Sequence, residues 1–117
     1  MSAETEFRAD MLAYAPLTAL VGTRIAFNAI PQGLELPYIV YTTAHTPELG
    51  LSGAVLADQA VHTVSCWAKT GAEAEAVADA VAAAVALAGD AVVSRSTGYD
   101  EELALDATVL AVEHWTV

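Results

Sequence analysis

Val61-His62-Thr63-Val64-Ser65-Cys66-Trp67-Ala68 runs through Lys69-Thr70 straight into Gly71-Ala72-Glu73-Ala74-Glu75-Ala76-Val77-Ala78-Asp79-Ala80-Val81, and this junction decides the fold. The first stretch alternates small polar with apolar side chains, the pattern of a half-buried strand over residues 60–68. Beyond it the period changes. Ala74, Val77, Ala78, Val81 and Val85 fall on one helical face, while Glu73, Glu75 and Asp79 turn away from it. The spacing predicts a helix over 70–87, with Thr70 as its N-cap and Gly89 as its C-cap. Its buried face is mostly alanine and valine, so the helix is expected to lie close to the sheet over a thin core.

Working outward, residues 91–96 and 108–116 read as two further strands, with 98–102 as an acidic turn between them. Upstream, 38–45 is β-branched and aromatic and is entered from Pro37, which can start a strand but not sit in its middle. Residues 23–27 read as a strand, and 28–36, holding Pro31 and Gly33, as a turn or loop. The N-terminus suits a helix over 3–14, with Phe7, Met11, Leu12 and Tyr14 at helical spacing, Ser2 as cap and Glu4 and Glu6 in the first turn. Pro16 breaks it and opens a short helix over 17–21 that Gly22 ends. Between 46 and 58 the pattern fades among Pro47, Gly50, Ser52 and Gly53, which reads as a long loop, and long loops in small domains usually carry function. The elements predict an α+β fold: one mainly antiparallel sheet with the long helix and the N-terminal helices packed on one face.

A chain of 117 residues, 56% of them hydrophobic, has room for one domain and one core. Fifteen acidic residues against four basic ones give a formal net charge of −11. Direct nucleic-acid binding needs clustered cations, and Arg8, Arg24, Lys69 and Arg95 are scattered. Acidity also keeps an alanine-rich domain soluble. The lone cysteine, Cys66, excludes an internal disulfide, and its place in an apolar strand predicts a buried, inert thiol. No basic segment precedes an apolar one at the N-terminus, and the apolar stretch 74–88 is too short and too charged to span a bilayer. A soluble protein made in the cytoplasm is expected, with no membrane partner.

No catalytic constellation stands out. His45, His62 and His114 lie in different predicted strands with no i,i+4 or HxH spacing, so no metal site is expected. Asp100, Glu101 and Glu102 form the densest acidic run but lack the alternating donors and glycine of a calcium loop. There is no Gly-x-Ser-x-Gly elbow and no phosphate loop. Trp67 and Trp115 sit near strand ends, where core packing is the expected role. No cofactor is expected, and no enzyme.

Three strings in fixed order carry more: Leu20-Val21-Gly22-Thr23-Arg24-Ile25, then Ile30-Pro31-Gln32-Gly33, then Leu36-Pro37-Tyr38-Ile39-Val40-Tyr41. With Val64-Ser65-Cys66-Trp67-Ala68, the alanine-rich helix and Val112-Glu113-His114-Trp115, they resemble the phage tail terminator, or tail completion, family over residues 11–117. The resemblance departs from the family after the long helix, where only Arg95 remains of a commonly arginine-rich segment.

The resemblance implies a single domain over 1–117 that forms a ring, commonly a hexamer, on the head-proximal end of a tail tube. There it would stop polymerisation and join the tail to the head connector, in phages, prophages or gene transfer agents. Its implied partners are its own copies, the major tail tube protein and the connector or stopper, with DNA passing through unbound. Its implied place is the head–tail junction of a virion. On that footing Leu49, Leu51, Val55 and Leu56 are candidates for contact with a neighbouring subunit or the tube, and Asp100, Glu101 and Glu102 for lining the channel. A neck or head-completion protein and a small α+β ligand-binding module remain open alternatives.

Overall fold

The computed structural model describes residues 3–27, 36–49, 55–102 and 104–116. The chain runs α1 (Ala3–Leu12), α2 (Ala15–Val21), β1 (Ile25–Phe27), β2 (Tyr38–Leu49), β3 (Val55–Ala68), α3 (Gly71–Leu87), β4 (Ala91–Asp100) and β5 (Leu105–Thr116). The strands form a five-stranded sheet in the order β1-β2-β3-β5-β4. The fold is α+β. The sheet is mixed rather than purely antiparallel, because β1 lies parallel to β2 while the other three pairings are antiparallel.

Side chains alternate across the sheet, and the register fixes which ones share a face. Ile39, Cys66 and Thr108 stand level on one face, followed by Tyr41, Val64 and Leu110, then Thr43, His62 and Val112. All of these except Thr43 are buried. All three helices pack on this face. Phe7 and Met11 of α1, Leu17 and Val21 of α2, and Val77, Ala78, Val81 and Val85 of α3 join the strand residues in one core. The alanine stripe works as expected: Ala74, Ala78 and Ala84 are 1%, 0% and 3% exposed, so α3 meets the sheet through methyl groups.

Local chemistry sets the helix ends. Thr70 is extended (φ −128°, ψ 153°), and its hydroxyl accepts a hydrogen bond from the Glu73 N–H at 3.2 Å, a cap that contributes about 1 kcal/mol. At the other end Ala88 is the cap, not Gly89. Gly89 follows it at φ +88°, a conformation that costs a residue with a side chain about 1–2 kcal/mol. Gly22 ends α2 at φ +60°.

Arg24 explains why that turn carries an arginine. Its Nε donates to Pro37 O at 3.0 Å and its Nη2 to Leu20 O at 3.3 Å. One guanidinium thus satisfies an orphan carbonyl at the end of α2 and ties it to the entry of β2. Arg8 makes a similar staple from α1 to β1, donating from Nε to Ile25 O at 3.1 Å.

Beyond the parallel β1 and the Ala88 cap, the structure departs from the sequence expectation at several element bounds, with α2 starting at Ala15 and β5 at Leu105. Of the expected loop 46–58, residues 46–49 and 55–58 are strand, paired from Thr46–Gln59 to Leu49–Val55 with a register shift after Glu48, and 50–54 lie outside the described residues. Pro47 and Glu48 argue locally against strand, but the pairing with β3 overrides them. Gly98, Tyr99 and Asp100 belong to β4, leaving only Glu101 and Glu102 of the expected acidic turn in the turn itself. β1 starts at Ile25 rather than residue 23, and α1 stops at Leu12. The expected Ile30-Pro31-Gln32-Gly33 turn, the Ser2 cap and Leu51 lie outside the described residues.

Candidate functional site

The helices cover one face of the sheet and leave the other bare. By register that second face carries Val40, Thr42 and Ala44 from β2, Val61, Thr63, Ser65 and Trp67 from β3, Val109, Ala111 and Glu113 from β5, and Ser94 and Ser96 from β4. These residues are half-buried or exposed, and apart from Trp67 and Glu113 they are small and uncharged. In a chain with fifteen acidic residues, a broad surface whose one carboxylate is Glu113, at its margin, is the most distinctive one that the described residues present.

One edge of the sheet is equally open. Every residue of β4 from Ala91 to Tyr99 is exposed, and no described strand lies beyond it. Val93 and Tyr99 are 55% and 60% exposed. The strand's one positive charge is neutralised from the helix side: Arg95 donates to Asp79 Oδ1 at 2.9 Å and pairs with the Glu75 carboxylate. The Asp79 hydrogen bond, with Glu75 adding to it, holds the guanidinium above its ordinary pKa. Glu75 also accepts from Thr108 Oγ1 at 3.0 Å, which ties α3 to β5 and β4 together. The pair is solvent-exposed, so it orients Arg95 more than it stabilises the fold.

The candidate interface residues Leu49, Val55 and Leu56 lie in the far part of the β2–β3 hairpin. Strands of 12 and 14 residues there reach about 40–46 Å, against about 25 Å for the 17 residues of α3. Asp100, Glu101 and Glu102 sit at the opposite end of the sheet, where β4 turns into β5. Tyr38 at the start of β2 lies at this same end, and burial first, then the charge of Asp100, raises the tyrosine's pKa. The structure therefore separates the two candidate groups by the length of the sheet.

A feature that sequence reasoning missed brings the histidines into play. His114 Nδ1 lies 2.6 Å from Asp90 Oδ1, its Nε2 lies 3.7 Å from Glu6 Oε2, and Asp10 stands nearby. Asp10 is held above the ordinary carboxylate range, first by burial and then by Asp90 and Glu6, with His114 opposing. Beneath the cluster, His62 is fully buried, stacks on Phe7 at 4.2 Å and shares a 2.8 Å hydrogen bond between its Nδ1 and Thr43 Oγ1. His62 and His114 are 52 residues apart in sequence, and only the β3–β5 register sets them side by side, with ring centres 6.4 Å apart. No sequence spacing signals that. The cluster clasps α1, the turn after α3 and β5 together.

None of this assembles a reaction centre among the described residues. No group of three or more His, Cys, Asp or Glu side chains there is placed to hold a metal ion. Burial pushes the Cys66 thiol up to about 12, so it stays protonated at neutral pH and is a poor nucleophile. The described surface clefts lie between α1 and α3, between α1 and β1, and between the turn after α3 and β5; the last gathers Asp90, Glu113 and His114, and none is lined by a cysteine or serine nucleophile. Among the described residues no helix is long and apolar enough to cross a membrane. The arginines are spent on the scaffold, which leaves the exposed Lys69 and a predominantly acidic surface.

Comparison with known proteins agrees with a scaffold of this kind. The fold is shared with a chain in the virion of a native gene transfer agent particle, at a TM-score of 0.68 and 22% identity over 92% of this chain and 88% of that one. No protein of curated function matches the sequence. Residues 6–116 match the model of the tail completion protein gp17 family, and the chain belongs to that family, as a structural component of phage-type tails.

Proposed function

We propose that this chain caps the head-proximal end of a tail tube as a ring of identical subunits, ends tube polymerisation and presents the surface that joins the tail to the head. The observation that carries the reading is the one-sided sheet: its core face is closed by three helices, while among the described residues its other face and its β4 edge are uncovered and nearly free of carboxylates. Surfaces of that extent are built to be covered. Family membership and the absence of a reaction centre among the described residues point the same way.

On this reading the partners are other copies of the chain, most simply six, the tube protein on one side and the head connector on the other. Leu49, Val55 and Leu56 in the far part of the β2–β3 hairpin, together with Leu51 of the sequence, contact a neighbour or the tube. Asp100, Glu101 and Glu102 face the DNA path and repel it, so that DNA passes without binding. The test is deletion of the gene followed by electron microscopy of the particles. Overlong or headless tails are expected. Full-length tails beside heads that lack a connector would replace this reading with that of a neck protein. Neutralising Asp100, Glu101 and Glu102 together should leave assembly intact and slow DNA ejection, and unchanged ejection kinetics would remove them from the channel wall.

A further inference from the structure

We propose that the outer edge of β4 pairs with the opposite sheet edge, formed by β1 and β2, of a second copy, so that the subunit sheets join head to tail into one continuous sheet. The inference rests on the ring reading above and names the contact that closes the ring.

Three observations carry it. The first is exposure. A ten-residue edge strand with no proline, no lysine and no cover among the described residues is a ready template for another strand. A register shift between Val92 and Ser94 kinks its beginning, but from Ser94 to Asp100 it is regular. At the other side β1 spans only three residues, pairing with Ile39–Tyr41, so beyond Tyr41 the described edge is β2 itself.

The second is strand direction. β2 and β5 are both antiparallel to β3, and β4 is antiparallel to β5, so β4 runs opposite to β2. Rotation about an axis along the strands keeps each strand's sense. The β4 edge of one copy therefore meets β2 of the next antiparallel, and the bare faces stay on the same side all round. Because the two edges are different strands, every copy offers one of each, the heterologous contact from which rings close. A β4–β4 contact would instead be isologous and end at two copies. Closed sheets also tilt and stagger their strands, so the axial offset between β4 and β2 follows from closure.

The third is charge. Each copy carries −11, and two copies approach most cheaply where neither presents a carboxylate. Residues 91–99 of β4 contain none, and Arg95 there is already neutralised by α3. Residues 25–27 and 38–47 on the opposite edge contain none either.

The experiment places Ala44→Cys and Ser96→Cys in one chain, both at exposed positions on the bare face. A second chain with Ala44→Cys and Ser94→Cys covers the neighbouring register. The protein is oxidised after assembly, alone or on tail tubes, and run on a non-reducing gel, with native mass measured in parallel. Cys66 is buried and serves as the silent background in the parent protein. At least one double variant is expected to give a ladder extending past the dimer to the full ring, and Ser96→Cys alone to give none. Quantitative dimers from Ser96→Cys alone would overturn the head-to-tail contact in favour of a β4–β4 one. An assembled oligomer that cross-links through neither pair would overturn the edge contact while leaving the ring standing. Absence of any oligomer, free or on tubes, would instead bring down the ring reading and this contact with it.

Discussion

Replacing Ala78 with leucine tests how α3 holds the sheet. Ala78 is fully buried on the stripe where α3 meets β3 and β5, and it is flanked along the helix by Ala74 and Val81, both also buried. Its neighbours pack at crystal-like density, so three added carbons must displace the helix or force side chains off their rotamers. Such overpacking costs about 1–3 kcal/mol. Ala76 lies two residues away on the exposed face and supplies the control, because Ala→Leu on a solvated helix surface costs only a few tenths of a kcal/mol. With a urea dependence of about 2 kcal/mol per molar, a loss of about 2 kcal/mol lowers the unfolding midpoint by about 1 M. Urea titration followed by far-UV circular dichroism reads it directly. Ala78→Leu should lose about that much against Ala76→Leu, with an unchanged slope. If the two variants unfold together, or if Ala78→Leu is the more stable, α3 does not ride close on methyl groups and the thin-core argument fails.

Other expectations follow from the same geometry. Asp10 has a raised pKa in the folded state, so folding takes up protons and stability falls as pH rises from the unfolded value of about 3.8 through the folded one; Asp10→Asn should therefore stabilise the protein at pH 7 and lose that advantage below pH 3.8, checked by melting curves across pH. Thr70→Ala should cost about 1 kcal/mol in urea unfolding, whereas Thr70→Asp should keep most of the cap. Arg24→Met removes a charged donor from two carbonyls and should destabilise by about 2 kcal/mol without changing the number of helices seen by circular dichroism. Cys66 should resist alkylation at pH 8 in the native protein and react as soon as urea unfolds it.

What the sequence disclosed and what it hid divide along the range of the interactions. The β3–α3 junction was legible because periodicity, the Thr70 cap and the alanine stripe are local and agree with one another. The strings around Gly22, Arg24 and Pro37 were legible as turns, but the reason for Arg24, two carbonyls on different elements, depends on contacts 4 and 13 residues away. The far hairpin was misread because Pro47 and the glycines near it outweigh weak strand propensity until a partner strand is present. The parallel pairing of β1 could not be seen either, since three residues carry no direction of their own. Among candidate sites, Asp100, Glu101 and Glu102 stood out as a run, whereas the Glu6–Asp90–His114 clasp has its members on three separate elements. The bare face is legible only once register is known, because each strand alone shows mere alternation.

The sheet order has a last consequence, for timing. β5 is the final strand in sequence but lies inside the sheet, between β3 and β4. While residues 105–116 are still within the ribosome, β4 has no partner and β3 lacks its second neighbour, so neither half of the sheet is finished. Insertion of β5 converts two unfinished pieces into one body and, in the same step, turns β4 from a loose segment into an ordered border strand. A nascent chain is thus unable to offer that border to others before its own interior is complete. Folding order alone would keep half-made subunits out of the assembly.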